Sequence, residues 1–341
     1  MKSCVTINDI AQKLNLSRNT VSKALNGKHV PAKTRQAVLL AASELGYKSF
    51  PNPDLSYTNY SGKKVLLLSA NMLMNIPFHI HVMRGLENEL SAVNMSLLRY
   101  TISPVSPVET LKEYIEKFEV DGIVCMELFS KDLIEQTLSL NLPTVFLDFT
   151  QERIESSYRY DVVMMENFNT IKEYCTDLYD KGACKNFGFV GDIRHCLAFY
   201  ERYLGMQCAL LERGIPLNPR NNILADNNLP YNNLTKLTKL IRKCELPDCF
   251  ICANDFLALT LLDALNMLGI QVPEQIKIIG FENSAESKIS KPTLSTININ
   301  KINLGKELMH TLLNRMKNRQ QRTRFLYIKD APVCRDSTNM L

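Results

Sequence analysis

Residues 17–26, SRNTVSKALN, combine side chains that could read a polyanion with a narrow apolar stripe. On a helical wheel Val21, Ala24 and Leu25 share one side. The opposite side carries amide, hydroxyl and ammonium groups, from Asn19, Ser22, Lys23 and Asn26, while Arg18 projects from the first turn. Arginine and lysine can donate to guanine, asparagine can bond adenine at two points, and hydroxyls can bind phosphate. The pattern favours recognition of DNA bases, although a solvated helix of an ordinary three-helix bundle would share it.

Three short helices would position this polar face. Thr6 and Asp9 stand at the spacing of a capping box, and apolar residues with helical periodicity follow them. A break at Asn15-Leu16 precedes Ser17, which is a good N-cap for the second helix. A third helix is expected from about residue 32 to residue 45. Helix, tight turn and helix form a helix-turn-helix, whose second helix enters the major groove of DNA.

Positive charge is concentrated in the same part of the chain. Residues 1–64 contain ten Lys and Arg against three acidic residues, whereas the remaining residues contain 30 against 32. This asymmetry indicates a polyanionic partner for the amino-terminal segment, with a solvated charged face as the alternative.

Composition and length describe an ordinary globular chain with more than one domain. The 341 residues are 45% apolar and 22% charged. The amino terminus has no apolar core of signal-peptide length, and no apolar run approaches the length of a membrane span. We therefore expect a cytoplasmic protein whose ten cysteines are reduced. Cys249 and Cys252 would point to opposite faces of one strand, and His79 and His81 have no ligand cluster nearby, so neither a metal site nor a cofactor is expected.

Beyond residue 63 apolar strands alternate with helices. Segments such as KVLLLSA, VDGIVCM, PTVFLDF, NFGFVGD, CFICAND and IKIIGFE are near-continuous apolar runs. Runs of this kind, separated by helical stretches, indicate parallel sheets covered on both faces. Two such units follow one another, with a division near residue 160.

The segment Val5–Tyr47, VTINDIAQKLNLSRNTVSKALNGKHVPAKTRQAVLLAASELGY, resembles the DNA-binding headpiece of the LacI/GalR family of bacterial transcription regulators. By that resemblance Arg18, Asn19 and Lys23 occupy base-reading positions. Phosphate-binding positions are occupied by Thr6, Ser17, Thr20, Ser22, Asn26 and Thr34, and His29 and Lys33 complete the expected DNA-contacting set.

The rest of the chain also resembles the family, through stretches such as ERYLGMQCALLERGI, CANDFLALTLLDALNMLGI and VCRDST. The implied fold class is α/β: a small all-α helix-turn-helix domain followed by a two-lobed, periplasmic-binding-protein-like core with parallel sheets. The expected domains are a headpiece (1–48), an atypical linker or hinge (49–63) and a core (64–341). Lobe 1 would comprise about 64–160 plus 298–323, and lobe 2 about 161–297 plus 324–341.

The resemblance places an effector in the cleft between the lobes. The expected effector-contacting residues are Asp148, Arg202, Asn254, Asp255 and Glu282, with Phe78 and Tyr231 as candidate stacking platforms. Carboxylates, an amide and an arginine supply the directional hydrogen bonds that a polyhydroxylated or heterocyclic ligand needs. Each could instead serve the fold: the strand-end residues by binding loop amides, Arg202 by pairing with a carboxylate.

The implied function is a transcriptional repressor, a homodimer on a palindromic double-stranded operator, switched by a small molecule that is sugar-like. The linker departs from the family, because Asp54 and Leu55 follow Pro53 where a basic hinge helix is usual. We therefore expect weaker DNA bending than in typical relatives. A solute-binding protein of the same fold is the alternative, and an enzyme is disfavoured because no nucleophile–base pair is apparent.

Overall fold

The computed structural model describes residues 5–25, 30–45, 47, 60–70, 76–102, 108–224 and 233–339. Three residues expected to contact DNA or the effector, Asn26, His29 and Tyr231, lie outside these ranges, as do residues 49–59 of the expected linker.

The amino-terminal unit contains the three expected helices. They are α1 (Ile7–Leu14), α2 (Arg18–Leu25) and α3 (Ala32–Leu45). Asn15 adopts a left-handed conformation (φ 52°) and ends α1, which allows the tight turn before α2. Ile10, Val21 and Val38, one from each helix, are fully buried in a cluster separate from the main core. The helix-turn-helix prediction is therefore confirmed in its fold.

The larger sheet has six strands. They are β1 (Lys64–Ala70), β2 (Ser96–Ile102), β3 (Gly122–Met126), β4 (Thr144–Leu147), β5 (Asp161–Met165) and β11 (Arg324–Ile328). Their order is β11-β5-β4-β3-β1-β2, and every pair is parallel. The helices between them are α4 (Ile76–Ala92), α5 (Val108–Phe118) and α6 (Lys131–Ser139). Complete burial of β3, β4 and β5 fits a sheet covered on both faces.

The second sheet has four parallel strands in the order β7-β6-β8-β9. They are β6 (Phe187–Gly191), β7 (Ile223–Leu224), β8 (Cys249–Cys252) and β9 (Lys277–Ile279). The helices of this lobe are α7 (Phe168–Asp180), α8 (Leu197–Leu211), α9 (Leu234–Ile241) and α10 (Asp255–Met267). Short 3₁₀ turns occupy Pro219–Asn221 and Glu286–Lys288, and a small antiparallel pair joins β10 (Thr296–Ile297) to β12 (Pro332–Val333).

The chain crosses between the lobes three times, and two of the expected lobe boundaries are one strand too early. β5 and β11, assigned from sequence to lobe 2, pair with each other and belong to the larger sheet. The crossings therefore follow residues 165 and 328 instead of 160 and 323. The final helix, α11 (Lys301–Lys317), returns to the larger sheet as expected and packs on α4, β4 and β5.

Helices α4 and α11 touch backbone to backbone. A Cβ atom on Gly305 would lie 1.9 Å from the Val82 carbonyl oxygen, and one on Gly85 would lie 2.1 Å from that of Ile302. Only glycine fits at either position, because any side chain would force the helices apart.

Candidate DNA interface and effector cleft

Ser17 fixes the start of α2. Its Oγ accepts a hydrogen bond from the Thr20 amide at 3.0 Å and shares a second one, 2.8 Å long, with the Thr20 hydroxyl. This is the N-cap arrangement expected from sequence, and it satisfies one of the free amides of the first turn. Because both hydroxyls lie at the helix start, they also stand where a phosphate would be attracted by the remaining amides.

The base-reading candidates are exposed while the opposite face of α2 is buried. Val21 and Ala24 have no accessible surface, whereas Arg18, Asn19 and Lys23 are exposed. Ser22 is half-buried beside them. The helix therefore presents amide, guanidinium and ammonium groups in one direction, as a recognition helix requires.

The phosphate-binding candidates of the other two helices lie near helix starts. The Thr6 amide and hydroxyl both donate to Asp9 Oδ2, at 2.7 and 2.8 Å. These bonds lower the pKa of Asp9, chiefly through the Thr6 amide. Lys33 is exposed and Thr34 half-buried in the first turn of α3.

The two sheets bring polar residues to the carboxyl ends of their strands. Glu127, Asp148 and Glu282 follow β3, β4 and β9, and all three adopt left-handed backbone conformations, with φ of 53°, 60° and 112°. Such conformations cost non-glycine residues about 1–3 kcal/mol each and concentrate at functional sites. The cleft expected at these strand ends therefore has a strained polar rim on both lobes.

Asp148 is buried and tied to both lobes. Its Oδ1 accepts from the Phe149 amide at 2.7 Å and from the Ala198 amide of α8 at 3.2 Å. Burial raises the pKa of Asp148, and hydrogen bonds from the Cys196 thiol and the two amides, together with the charge of Arg202, oppose that rise. Part of its bonding capacity thus serves the fold, as one of the two sequence interpretations anticipated.

Arg202 stands at the junction of the lobes. Its Nε donates to Asn167 Oδ1 at 2.9 Å, in the first crossing segment, and its Nη1 donates to the Ala253 carbonyl after β8. The guanidinium covers the ring of Phe281, 3.6 Å from the centroid, and only 3% of the residue is exposed. No acidic side chain hydrogen-bonds this group in the described structure, so it acts through directional bonds and stacking.

On the second lobe Glu282 is 8% exposed, and Lys301 Nζ donates to its main-chain carbonyl. The same ammonium lies 5.8 Å from the ring centroid of Phe78, which is half-buried. Burial lowers the pKa of Lys301, and the carboxylates of Glu282 and Asp255 oppose that effect. Lys301 was missed from sequence because it opens a helix and carries no motif.

Asn254 and Asp255 have structural partners. The Asn254 side chain caps α10 by accepting from the Leu257 amide at 2.9 Å. Asp255 is inaccessible to solvent and accepts from the Thr296 hydroxyl at 2.5 Å and the Ser284 amide at 2.7 Å. We therefore assign Asp255 to the support of the cleft instead of to ligand contact.

An aromatic wall joins the lobes beside Asp148. The His195 ring lies 5.1 Å from that of Phe129, after β3, and 5.3 Å from that of Phe199 in α8. Burial lowers the pKa of His195, against the opposing charges of Asp148 and Asp192. These rings form a stacking surface among the described residues, whereas Tyr231 lies outside them. No sequence signal joined the rings, because they come from separate segments.

His79 has a carboxylate beside it. It is 3% exposed, and its Nε2 lies 3.3 Å from Glu127 Oε1. Across the described residues no group of three or more His, Cys, Asp or Glu side chains could hold a metal ion. None of the described helices is long and apolar enough to cross a membrane.

Family models match both parts of the chain. The model described as bacterial regulatory proteins, lacI family, matches residues 6–52, and that of a periplasmic binding protein-like domain matches residues 176–338. The HTH-type transcriptional repressor PurR of Aliivibrio salmonicida is 26% identical over 353 residues, covering 98% of this chain and 99% of the relative. The ribose operon repressor of Haemophilus influenzae is 25% identical, with 97% and 98% coverage.

Solved structures share the fold. A transcriptional regulator CelR–cellobiose complex superimposes with a TM-score of 0.70 at 23% identity, covering 98% of this chain and 99% of that one. The lac repressor dimer bound to operator and the anti-inducer ONPF gives a TM-score of 0.67 at 20% identity, with 98% and 99% coverage. A regulator from Enterococcus faecium with bound ribose gives 0.66 at 24%, with 82% and 100% coverage.

One assignment follows from these findings. Family models match both parts of the chain, relatives align over nearly its whole length, and α2 exposes its polar face. The chain belongs to the lacI family of bacterial regulatory proteins, and it is a DNA-binding transcription regulator with a periplasmic-binding-protein-like core.

Proposed function

We propose that the protein is a cytoplasmic repressor that binds a palindromic operator as a homodimer and responds to a small sugar-like effector in its interlobe cleft. The observation that carries the DNA-binding part is α2, which buries Val21 and Ala24 and exposes Arg18, Asn19 and Lys23. A helix with this division of faces can enter the major groove without exposing its apolar side.

Dimer formation follows from the size of the recognition surface. One helix of eight residues contacts only a few base pairs, so two copies on two half-sites are needed to select a site in a genome. A two-fold symmetric dimer then requires a two-fold symmetric operator. The curated relatives named as repressors support this reading.

The chemistry of the cleft supports a hydroxyl-rich effector. Asp148, Arg202 and Glu282 offer charged hydrogen-bonding groups beside aromatic rings, which is the combination that binds the polar edges and apolar faces of sugars. Neighbours in fold carry cellobiose and ribose. Asn254, Phe78 and Tyr231 remain predicted contacts, and we add His195 with its flanking rings.

A switch follows from the groups that join the lobes. Arg202 in α8 holds Asn167 at the first crossing, and its neighbour Glu201 accepts a 2.7 Å hydrogen bond from Tyr327 of β11. An effector that bonds Arg202 changes how strongly the lobes are held together. It therefore favours one interlobe angle, and with it one spacing of the two headpieces.

The test of DNA binding is selection of duplexes from a random library by the full-length protein, followed by titration of the selected site. We expect an enriched sequence with two-fold symmetry. The variant Arg18→Ala/Asn19→Ala/Lys23→Ala should lose its preference for the enriched sequence over a scrambled duplex. The control variant Arg153→Ala, which changes an exposed residue outside the headpiece, should keep that preference. Failure of the wild-type protein to enrich any sequence would refute the proposal.

The test of the effector is a thermal-shift screen of sugars, sugar phosphates and nucleobases. A ligand present at 100 times its Kd stabilises the folded protein by about 2.7 kcal/mol. The binding ligand should also change operator affinity. A ligand that stabilises the protein without affecting DNA would favour the solute-binding alternative, and chemical turnover of the ligand would favour an enzyme.

A further inference from the structure

A strongly basic loop joins α11 to β11. The ten residues 315–324, RMKNRQQRTR, contain five basic residues and no acidic one. We call residues 317–324 the basic loop; its exposed cations are Lys317, Arg319, Arg322 and Arg324. The charge total of the core conceals this cluster, because acidic residues elsewhere offset it.

A buried arginine fixes the backbone of the basic loop. Arg315 is 1% exposed and donates to both oxygens of Asp161, at 2.6 and 3.0 Å. The same guanidinium donates to the carbonyls of Gln321 and Arg322, at 2.7 and 3.1 Å. The exposed side chains therefore project from an ordered platform, so less entropy is lost when they bind a partner.

The basic loop lies at the end of the core where the chain arrives from the headpiece. β1, β5 and β11 are parallel strands of one sheet, so their amino ends share one edge. Tyr60, four residues before β1, donates to the Leu313 carbonyl near the end of α11 at 3.2 Å. In addition, α3 of the headpiece packs against α4. The loop thus faces the side from which DNA is approached.

The charges of the basic loop are only partly neutralised. Arg324 shares Asp161 with Arg315, at 3.1 Å, but neither Arg319 nor Arg322 has an acidic partner within 4.0 Å among the described residues. The guanidinium fork suits phosphate oxygens in bidentate geometry. Arg319 and Arg322, three residues apart in a loop whose backbone Arg315 holds, therefore offer two uncompensated guanidinium groups to phosphate oxygens.

We propose that the basic loop is a second DNA-contacting surface, which binds phosphates of the duplex flanking the bases read by α2, without sequence preference. This inference rests on the proposed operator binding and adds a contact from the core. Its contribution is electrostatic, so it depends on salt and on the presence of flanking DNA.

The test compares Arg319→Gln/Arg322→Gln with the matched control Arg242→Gln/Lys243→Gln, an exposed basic pair after α9 in the second lobe. Full-length proteins are titrated with a long duplex, in which the operator has flanks, and with a duplex trimmed to the half-sites, from about 50 to about 200 mM salt. Both variants should melt as the wild type does.

The slope of log affinity against log salt is negative, and on the long duplex the Arg319/Arg322 variant should reduce its magnitude by about 2 to 4, since each lost phosphate contact contributes about 0.9 and a dimer has two loops. On the trimmed duplex, and for the control variant, the slope should stay the same. The ratio of operator to scrambled affinity should also be unchanged.

An unchanged slope on the long duplex, or an equal loss in the control variant, would overturn the inference. These results differ from failure of the proposed function itself, which would appear as a wild-type protein with no preference for the operator over scrambled DNA.

Discussion

The guanidinium of Arg202 lies over the ring of Phe281, with its central carbon 3.6 Å from the ring centroid. The two residues come from α8 and from the segment after β9, and Arg202 also bonds Asn167 at the first crossing. One side chain thus connects two strand ends of the second lobe with the segment that leads into it.

Replacing Arg202 by lysine should remove this connection. Lysine keeps the charge but cannot stack or bond Asn167 and Ala253 at once. We expect the free energy of unfolding to fall by roughly 2 to 4 kcal/mol, since hydrogen bonds to charged groups contribute about 1.5–3 kcal/mol each. Urea unfolding measures the loss. Arg153→Lys, at an exposed position, is the control, and an equal effect of both substitutions would contradict the assigned role.

Replacing Asp148 by asparagine should separate folding from effector response. Burial raises the pKa of Asp148, so its contribution to stability is fully present below the unfolded pKa and is lost as pH rises through the folded pKa. Asparagine avoids this loss and tolerates the left-handed backbone. The variant should therefore gain stability relative to wild type as pH rises from about 4 to about 7.

The same Asp148→Asn variant should no longer respond to the ligand found in the thermal-shift screen, while its operator affinity without ligand stays near wild type. An unaltered ligand response would remove Asp148 from the effector site.

Arg18→Ala and Thr34→Ala should weaken DNA binding in different ways. Arg18 is exposed at the start of α2, so its loss should cost about 1–3 kcal/mol and relax preference mainly at one base position. Thr34 is a phosphate-binding candidate, so its loss should weaken binding evenly across sequences. Titration against every single-base variant of the operator distinguishes the two patterns. Equal losses on all sequences for both variants would contradict the assigned roles.

Glu166→Gln should destabilise the protein in a pH-dependent manner. Burial raises the pKa of Glu166, but hydrogen bonds from Thr170 and Asn169 at the start of α7 outweigh this and lower it. Stability from such a carboxylate is present above the unfolded pKa and disappears as pH falls through the folded pKa. The variant should unfold more easily than wild type at neutral pH. The difference should begin to shrink as pH falls below the unfolded pKa of about 4 and should vanish only below the lowered folded pKa.

Thermal melting across pH measures this effect, with the exposed Glu113→Gln as control. A difference that persists undiminished in acid would exclude the carboxylate as its source.

Weak DNA bending remains a prediction from the linker, whose residues 49–59 lie outside the described part of the chain. Asp54 stands where a basic hinge helix is usual, and its charge would repel phosphate. A circular-permutation gel assay on the selected operator measures the bend, and a large bend would show that the linker inserts into DNA despite its sequence.

Local periodicity was enough to predict the headpiece. Short helices with capping residues and a helical apolar stripe depend on neighbours in sequence, so the bounds of α3 and the start of α2 at Ser17 agree with the structure. Strand pairing is not local. In the larger sheet β5 lies between β4 and β11, and its partner β11 comes from a distant part of the sequence. Local sequence therefore could not show which sheet β5 joins. That is why the first lobe is longer than expected.

The cleft shows the same division between local and distant information. Asp148, Arg202 and Glu282 could be named because they stand in recognisable motifs at strand ends or in a helix. The ring contacts of His195 with Phe129 and Phe199, and the approach of Lys301 to Glu282, depend on how the lobes are placed. Periodicity within a single segment cannot predict contacts between segments that are distant in sequence.

The reciprocal glycines of α4 and α11 determine how a signal can leave the cleft. With main chain against main chain at Gly85 and Gly305, no intervening layer of side chains exists over which one helix could slide past the other. The 17 residues of α11 span about 25 Å, from Lys301 at the cleft to Arg315 beside the entering headpiece chain. In the proposed switch, a shift at Lys301 would therefore move α4 and α11 together and would reach the headpiece end of α11 as a translation.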